Sequence, residues 1–488
     1  MEVVVKKVLE NVELIKSKFG DDSKELVVKN FTILGKNSAV IYMVGLADTE
    51  ILTEGVIKPC MLAQSRSTGD FYEFLKREVL FFPDVKNEFD FNKIINELTH
   101  GKAIMFVDGQ SECLIFSLDK YKERSLTEPP TSAVLKGPRE GFVENIKTNT
   151  SLIKKIISSP KLKFDYVYIG KYTNTQVAIT YIDGICDKEL INKVKKRLKK
   201  IEIDGIIDSF YVSQFLEEHP YSMFKQIGDT EKPDIVCAKI LEGRCAVVVD
   251  GSPIVLTLPY MLFEDVQNSD DYYAQHARAT FVRILRVFSI LITIMLPGLY
   301  IAVQLYHYKV MPISFIITII NATQGIPLAP LAELLFVLIL FEVLYEASLR
   351  MPQYLGIALS IVGALILGDT GVKAGIISSP TVMMVALSGI TLYTIPDQAA
   401  QLGLLRFLFT LAGGLMGFYG IIVLTVFFVV YLSVFDNYGT SYLAPFAPAR
   451  KEDFKDAIVK RDLIDMKTRP KSIKNRDKVR MKNERSKH

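Results

Sequence analysis

Apolar positions follow two regimes along the chain, and the change falls near residue 287. Upstream, between Phe31 and Pro259, short β-branched runs alternate with stretches of helical spacing, the pattern of layered α/β structure. Downstream, between Val287 and Leu432, charged residues nearly vanish. Residues 287–306 form a long apolar run containing Pro297 and preceded by Arg278, Arg283 and Arg286. That pattern predicts a membrane-spanning helix with its positive flank in the cytoplasm. Further apolar segments occupy 311–320, 331–349, 355–367, 380–395 and 404–432. The first of these is short and runs into NATQGIP, so it is expected to enter a bilayer without crossing it.

Two patterns recur in the upstream half. Residues 39–52 and 176–190 each read as a strand, then a glycine (Gly45, Gly184), then an Asp-x-Glu (Asp48 and Glu50; Asp187 and Glu189) opening a helix. Asp108-Gly109 and Asp250-Gly251 each stand between two alternating apolar runs, a hairpin signal because such turns need positive φ. The order of elements agrees, predicting two copies of one small α/β domain, near 23–118 and 166–258. The expected organisation is an amphipathic N-terminal segment (1–22), a first α/β domain (23–123) and a linker ending in a helix (124–165). A second α/β domain (166–270), a transmembrane helical domain of four to six spans (287–432) and a basic tail (445–488) follow.

Charge and composition refine this picture. The net charge of +4 averages an apolar block and a basic tail, and does not point to nucleic acid. The N-terminus has no apolar run of signal-peptide length. Five cysteines without a CxxC pair predict reduced core thiols, not a disulfide framework or zinc site. Tryptophan is absent, leaving tyrosine and phenylalanine for any interfacial belt. The tail from Arg450 is rich in lysine and arginine and should stay cytoplasmic like the flank of the first span, so the number of crossings is even. It reads as solvated and disordered, with attachment to anionic membrane lipid as the other reading.

Candidate chemistry lies in the apolar half. Glu333, Glu342, Glu346 and Arg350 sit in or beside one apolar helix, and charges there face protein or water. They predict either a polar face toward an ion path or a clamp between helices, with Arg406 as a further partner. In 355–368, Gly356, Ser360, Ala364 and Gly368 recur every four residues with Gly363 beside them, a stripe for close helix approach. The opposite side carries Leu359, Val362 and Ile366, with Asp369 at the end. A ring of such helices would make an apolar constriction followed by an acidic ring; ordinary packing is the competing reading. Gly413, Gly417 and Gly420 form another small stripe, read as packing. No phosphate-loop, dinucleotide, HExxH or GxSxG motif occurs, and the five histidines are scattered. The expectation is no enzyme, no cofactor and no metal site.

Six segments in order carry a resemblance: GPREGF (137–142), DGSP with LP (250–259), PGLY (297–300), FEVLYEASLRMP (341–352), SIVGALILGD (360–369) and YLAPFAP (442–448). Over essentially the whole chain these resemble the A subunit family of bacterial spore germinant receptors. Lys154 and Lys155 depart from it, since members usually carry arginines there; members also commonly have a glutamine near Asp369, which bears on conduction. The resemblance implies a multi-pass protein of the spore inner membrane with both termini cytoplasmic. It also implies a homo-oligomeric ring, a pentamer, enclosing a channel for monovalent cations. The implied partners are a transporter-like B subunit that binds the nutrient and a lipoprotein C subunit. A stage V sporulation paralogue of the same architecture, a non-conducting scaffold and a secondary transporter are the alternatives.

Overall fold

The computed structural model describes residues 3–19, 25–64, 70–82, 85–117, 137–350, 363 and 365–481 of the 488. It divides into two units. Among the described residues, one comprises those up to Pro220, 227–259 and 468–481; the other comprises 221–226 and 260–467.

The first unit holds two five-stranded antiparallel sheets. Strands β1 (Leu26–Ile33), β2 (Lys36–Met43), β3 (Val85–Glu88), β4 (Ala103–Val107) and β5 (Cys113–Phe116) are ordered β1-β2-β4-β5-β3. Strands β6 (Leu162–Ile169), β7 (Thr175–Ile182), β8 (Gly228–Thr230), β9 (Cys245–Val249) and β10 (Val255–Leu258) are ordered β6-β7-β9-β10-β8. Registers correspond as well: Ser38 pairs with Val107 where Val177 pairs with Val249. Both faces of the first sheet are covered, with Ala103, Met105 and Val107 in one cluster and Ile104 and Phe106 in the other. That is why β4 reads as a continuous apolar run rather than an alternating one.

The correspondence extends to helices that the sequence reading set apart from the sheets. Helix α1 (Val8–Phe19) packs on the first sheet together with α2 (Phe91–Thr99). Helices α3 (Ile146–Ile156) and α4 (Pro233–Leu241) pack on the second. Each hairpin aspartate caps the first helix of its own repeat: Asp108 Oδ1 accepts from the Val8 N–H at 2.8 Å, and Asp250 Oδ1 from that of Ile146 at 3.0 Å. Gly109 and Gly251 (φ +86° and +89°) complete those turns and donate to the carbonyls of Lys6 and Glu144. Asn11 exchanges two hydrogen bonds with the Val5 backbone, and Asn149 does the same with Val143. The two copies meet where Lys154, almost wholly buried, donates to Glu25 and to Val44 O, while Tyr166 donates to Glu25 at 2.8 Å.

The end of the chain corrects one expectation. Residues 468–481 are not free in solvent but lie on the second sheet domain. Arg469 donates to Leu241 O (2.8 Å) and to the carbonyls of Asp477 and Val479, and the Arg476 N–H donates to Ile185 O. The basic residues here satisfy backbone carbonyls, which a composition reading cannot see.

The second unit is a bundle of apolar helices: α5 (His276–Leu305), α6 (Ile313–Thr323), α7 (Pro330–Arg350) and α8 (Ser379–Leu392), followed by α9 (399–416) and α10 (418–434). The last two correct the expectation of one apolar segment over 404–432. At Gly417 the backbone takes φ +64° and ψ −148°, outside any helix. The chain turns back on itself there. Phe409 and Phe428 stack with centroids 6.1 Å apart, whereas a straight helix would separate them by roughly 28 Å. Among the described residues, two helical stretches, His276–Leu305 and Pro396–Val434, are long and apolar enough to cross a membrane.

Candidate functional site

Polar groups in the apolar bundle start from one proline. Pro297 in α5 has no N–H, so the carbonyl of Thr293, four residues earlier, loses its helical donor. Ser388 of α8 replaces it, its Oγ donating to Thr293 O at 3.0 Å. Thr293 Oγ1 also meets Thr391 Oγ1 at 2.9 Å. With its proton used, Ser388 Oγ can only accept from Arg406, whose Nη1 stands 3.4 Å away. Arg406 of α9 is fully buried, and its Nη2 lies 3.0 Å from Glu342 Oε2 on α7. Its guanidinium also faces the Phe341 ring at 5.6 Å. Gly403 leaves the space for Glu342, since a Cβ there would stand 2.6 Å from Oε1. Glu342 and Arg406 thus pair across α7 and α9.

Glu346 and Arg350 pair with each other at the exposed end of α7, Nε to Oε1 at 2.8 Å. Glu333 is different. It is 1% exposed, and its Oε1 accepts from both the N–H and the Oγ–H of Ser378 at 2.7 Å. Ser378 is the N-cap of α8, so the carboxylate faces the positive end of that helix. The sequence reading missed Thr293, Ser378, Ser388 and Tyr300; the proline four residues after Thr293 was the available signal for the first.

Of the residues expected to line a pore, Leu359 and Val362 lie outside the described residues, as do Gly356, Ser360 and Ala364 of the small stripe. Ile366 falls in a wide helical turn, Leu365–Thr370. Gly363 backs onto Leu344 of α7 at 3.1 Å from an ideal Cβ, a close-packing contact, while Gly368 meets nothing. Asp369 is ion-paired with Lys373 at 2.8 Å, both exposed. Of the glycines in the last segment, Gly413 lies against Gly298 of α5, where a Cβ on either would strike the other helix's backbone, whereas Gly417 is the turn itself.

The two ends of the bundle are held differently. At one end, Gln398 before α9 donates to Asp265 Oδ2 at 2.7 Å, and Tyr260 donates to the same carboxylate. Burial pushes the Asp265 carboxyl above its usual range. Asn437, just after α10, donates to Tyr260 O at 3.0 Å. Arg283 near the start of α5 binds Asp271 and Asp456. At the other end, Tyr306 donates to the carbonyls of Gly414 and Leu415, and His307 stacks on Phe418 at 4.4 Å. The arrangement holds apolar helices in fixed register around buried charge.

The model of the family described as Bacillus/Clostridium GerA spore germination protein matches residues 13–472. Spore germination protein KA of Bacillus subtilis is 37% identical over 91% of this chain and 82% of its own length. A membrane protein of unassigned function from the same organism, YfkQ, is 34% identical over 96% of this chain and 90% of its own. The crystal structure of the N-terminal domain of the A subunit of the Bacillus megaterium spore germinant receptor GerK3 is 29% identical. It covers 52% of this chain and 95% of that chain, with a TM-score of 0.41. With its sheet-bearing and apolar halves both inside the matched region, the chain belongs to the GerA spore germination protein family.

Proposed function

We propose that this chain is the A subunit of a spore germinant receptor, a multi-pass protein of the spore inner membrane whose copies form a cation channel. The observation that carries the reading is the family match across residues 13–472, which takes in both sheet domains and the helical bundle. B and C subunits complete the receptor, and nutrient binding outside this chain biases the ring toward its open state by a difference in affinity between the two states.

The bundle's contacts support six passes. Helix α5 runs from the Arg283 end to the Tyr306 end, and α6 stays at the latter. Helix α7 starts where Leu331 meets Gly414 and passes Gly403 with Glu342, running back. Ser378, the N-cap of α8, contacts Glu333 near the start of α7, so the chain is back at that end where α8 begins. Helix α8 runs from there to Leu392, which clusters with Leu402 and Ile290, and α9 and α10 make the last two passes. Flanks rich in arginine and lysine then share the cytoplasmic side. Leu359, Val362 and Ile366 narrow the lumen, and Asp369 gives cation preference.

Apolar constrictions close by expelling water, so Val362→Ser should raise resting leak of monovalent cations and weaken the need for nutrient. Ion efflux from cells expressing the variant at matched levels measures this. Unchanged leak and triggering in an assembled receptor would favour the scaffold reading.

A further inference from the structure

We propose that Glu333, Ser378, Thr381 and Tyr300 form a binding site for one dehydrated monovalent metal cation, Na+ or K+, inside the helical bundle of a single chain. Three carboxylates lie on α7, and two have an arginine: Glu342 with Arg406, Glu346 with Arg350. Glu333 has no cationic partner among the described residues, although it is the most deeply buried of the three. A carboxylate in such surroundings needs a compensating charge or a proton.

Besides the Ser378 N–H, hydroxyls stand around it among the described residues. Ser378 Oγ lies 2.7 Å from Glu333 Oε1 and 2.9 Å from Thr381 Oγ1. Ser378 has one hydroxyl proton, which goes to the carboxylate, so Thr381 donates to Ser378 and the chain of donors ends at Glu333. Among the described residues, both bonds from Ser378 go to Oε1. Tyr300 of α5, 6% exposed, lies close to Glu333, Ser378 and Thr381, yet among the described residues its hydroxyl makes no hydrogen bond of ordinary length and angle. A buried hydroxyl left without a partner is uncommon and calls for a ligand or a reason.

Four oxygen donors with one negative charge match a hard monovalent ion. Ca2+ collects six to eight oxygens, usually from several carboxylates. The N-terminus of α8 disfavours a cation on its axis, so the ion belongs on the Oε2 and Tyr300 side, away from the Ser378 N–H. The inference uses the membrane reading only for the low dielectric and does not require conduction.

Equilibrium binding of 22Na+ and 86Rb+ to the full chain in nanodiscs tests it, with N-methylglucamine holding ionic strength constant. One saturable site per chain is expected, absent in Glu333→Gln and about tenfold weaker in Tyr300→Phe and Thr381→Val. Absence of saturable binding in the parent chain at neutral pH would overturn the site. So would binding unchanged in Tyr300→Phe and Thr381→Val, which decide the matter should Glu333→Gln not fold. A protonated-carboxyl infrared band in the parent chain, lost only in Glu333→Gln, would show that a proton occupies the position and also overturn it. Flux in liposomes from the same preparations separates the two readings: flux without binding removes this site alone, and binding without flux removes the channel alone.

Discussion

Arg406 is fully buried, and it keeps its charge because Glu342, Ser388 and the face of Phe341 surround it. Such a pair contributes little net stability, but removing one partner strands the other. Arg406→Met should therefore lower stability by about 3 kcal/mol, and adding Glu342→Gln should restore most of that loss. Thermal midpoints in detergent measure the cycle; additive losses would mean that the two groups are uncoupled. Thiols in the first unit set a pH dependence. Burial pushes Cys60, Cys186 and Cys237 up to about 12 from an ordinary 9.0. An unfolded thiol loses its proton near 9.0 while the folded one keeps it, so this stabilisation is complete below pH 9.0 and declines as pH rises toward 12. Each thiol accounts for about 1.4 kcal/mol per pH unit in that window. Cys60→Ala should make the fall in unfolding free energy above pH 9.0 shallower by that amount; an unchanged slope would mean that Cys60 does not stay protonated in the fold.

Among the elements, the α9–α10 turn has the largest consequence for architecture. Spin labels at the exposed positions Leu404 and Val434 should report a distance well under 30 Å, because Leu405 and Leu432 share one cluster. A continuous helix would place them about 45 Å apart. Dipolar spectroscopy on chains diluted with unlabelled protein makes the measurement, and a distance near the larger value would remove the hairpin. The sequence could not reveal this turn, since Gly417 sits in an unbroken apolar run and glycine there also reads as packing. By contrast, the Asp-Gly turns and the Asp-x-Glu helix starts declare themselves locally, and the sheet pattern of both repeats was legible from them. The attachment of the first helix of each repeat to its sheet was not. Its link to the sheet runs from Asp108 to Val8 and from Asp250 to Ile146, about a hundred positions apart. At the candidate site, the charges on α7 were legible because charge in an apolar run is conspicuous. Their pairing was not, because Ser378, Ser388 and Thr293 look like ordinary helix residues until Pro297 is followed to the carbonyl it frees.

For the molecule as a whole, on the proposed membrane reading, the contacts that hold the ends of the bundle call for an even number of crossings. Arg283 holds the start of α5 to Asp271 and Asp456, and Gln398 and Asn437 hold the two ends of the hairpin to the 260–265 segment. The lead-in and the segment after α10 therefore share one end, and the Tyr306–His307 turn with Gly417 marks the other. An odd number of crossings would pull the Arg283–Asp456 pair to opposite sides of a bilayer. Cysteines at two exposed positions test this, Val310 at the far end and Ile464 in the tail segment. The native thiols are buried and should remain silent. A membrane-impermeant maleimide added to intact cells should label Val310→Cys fully and Ile464→Cys only after permeabilisation. Equal labelling of both from outside would separate the flanks and leave an odd number of passes. Failure to label Val310→Cys under either condition would instead place the α5–α6 turn within the membrane, and four passes would then replace six.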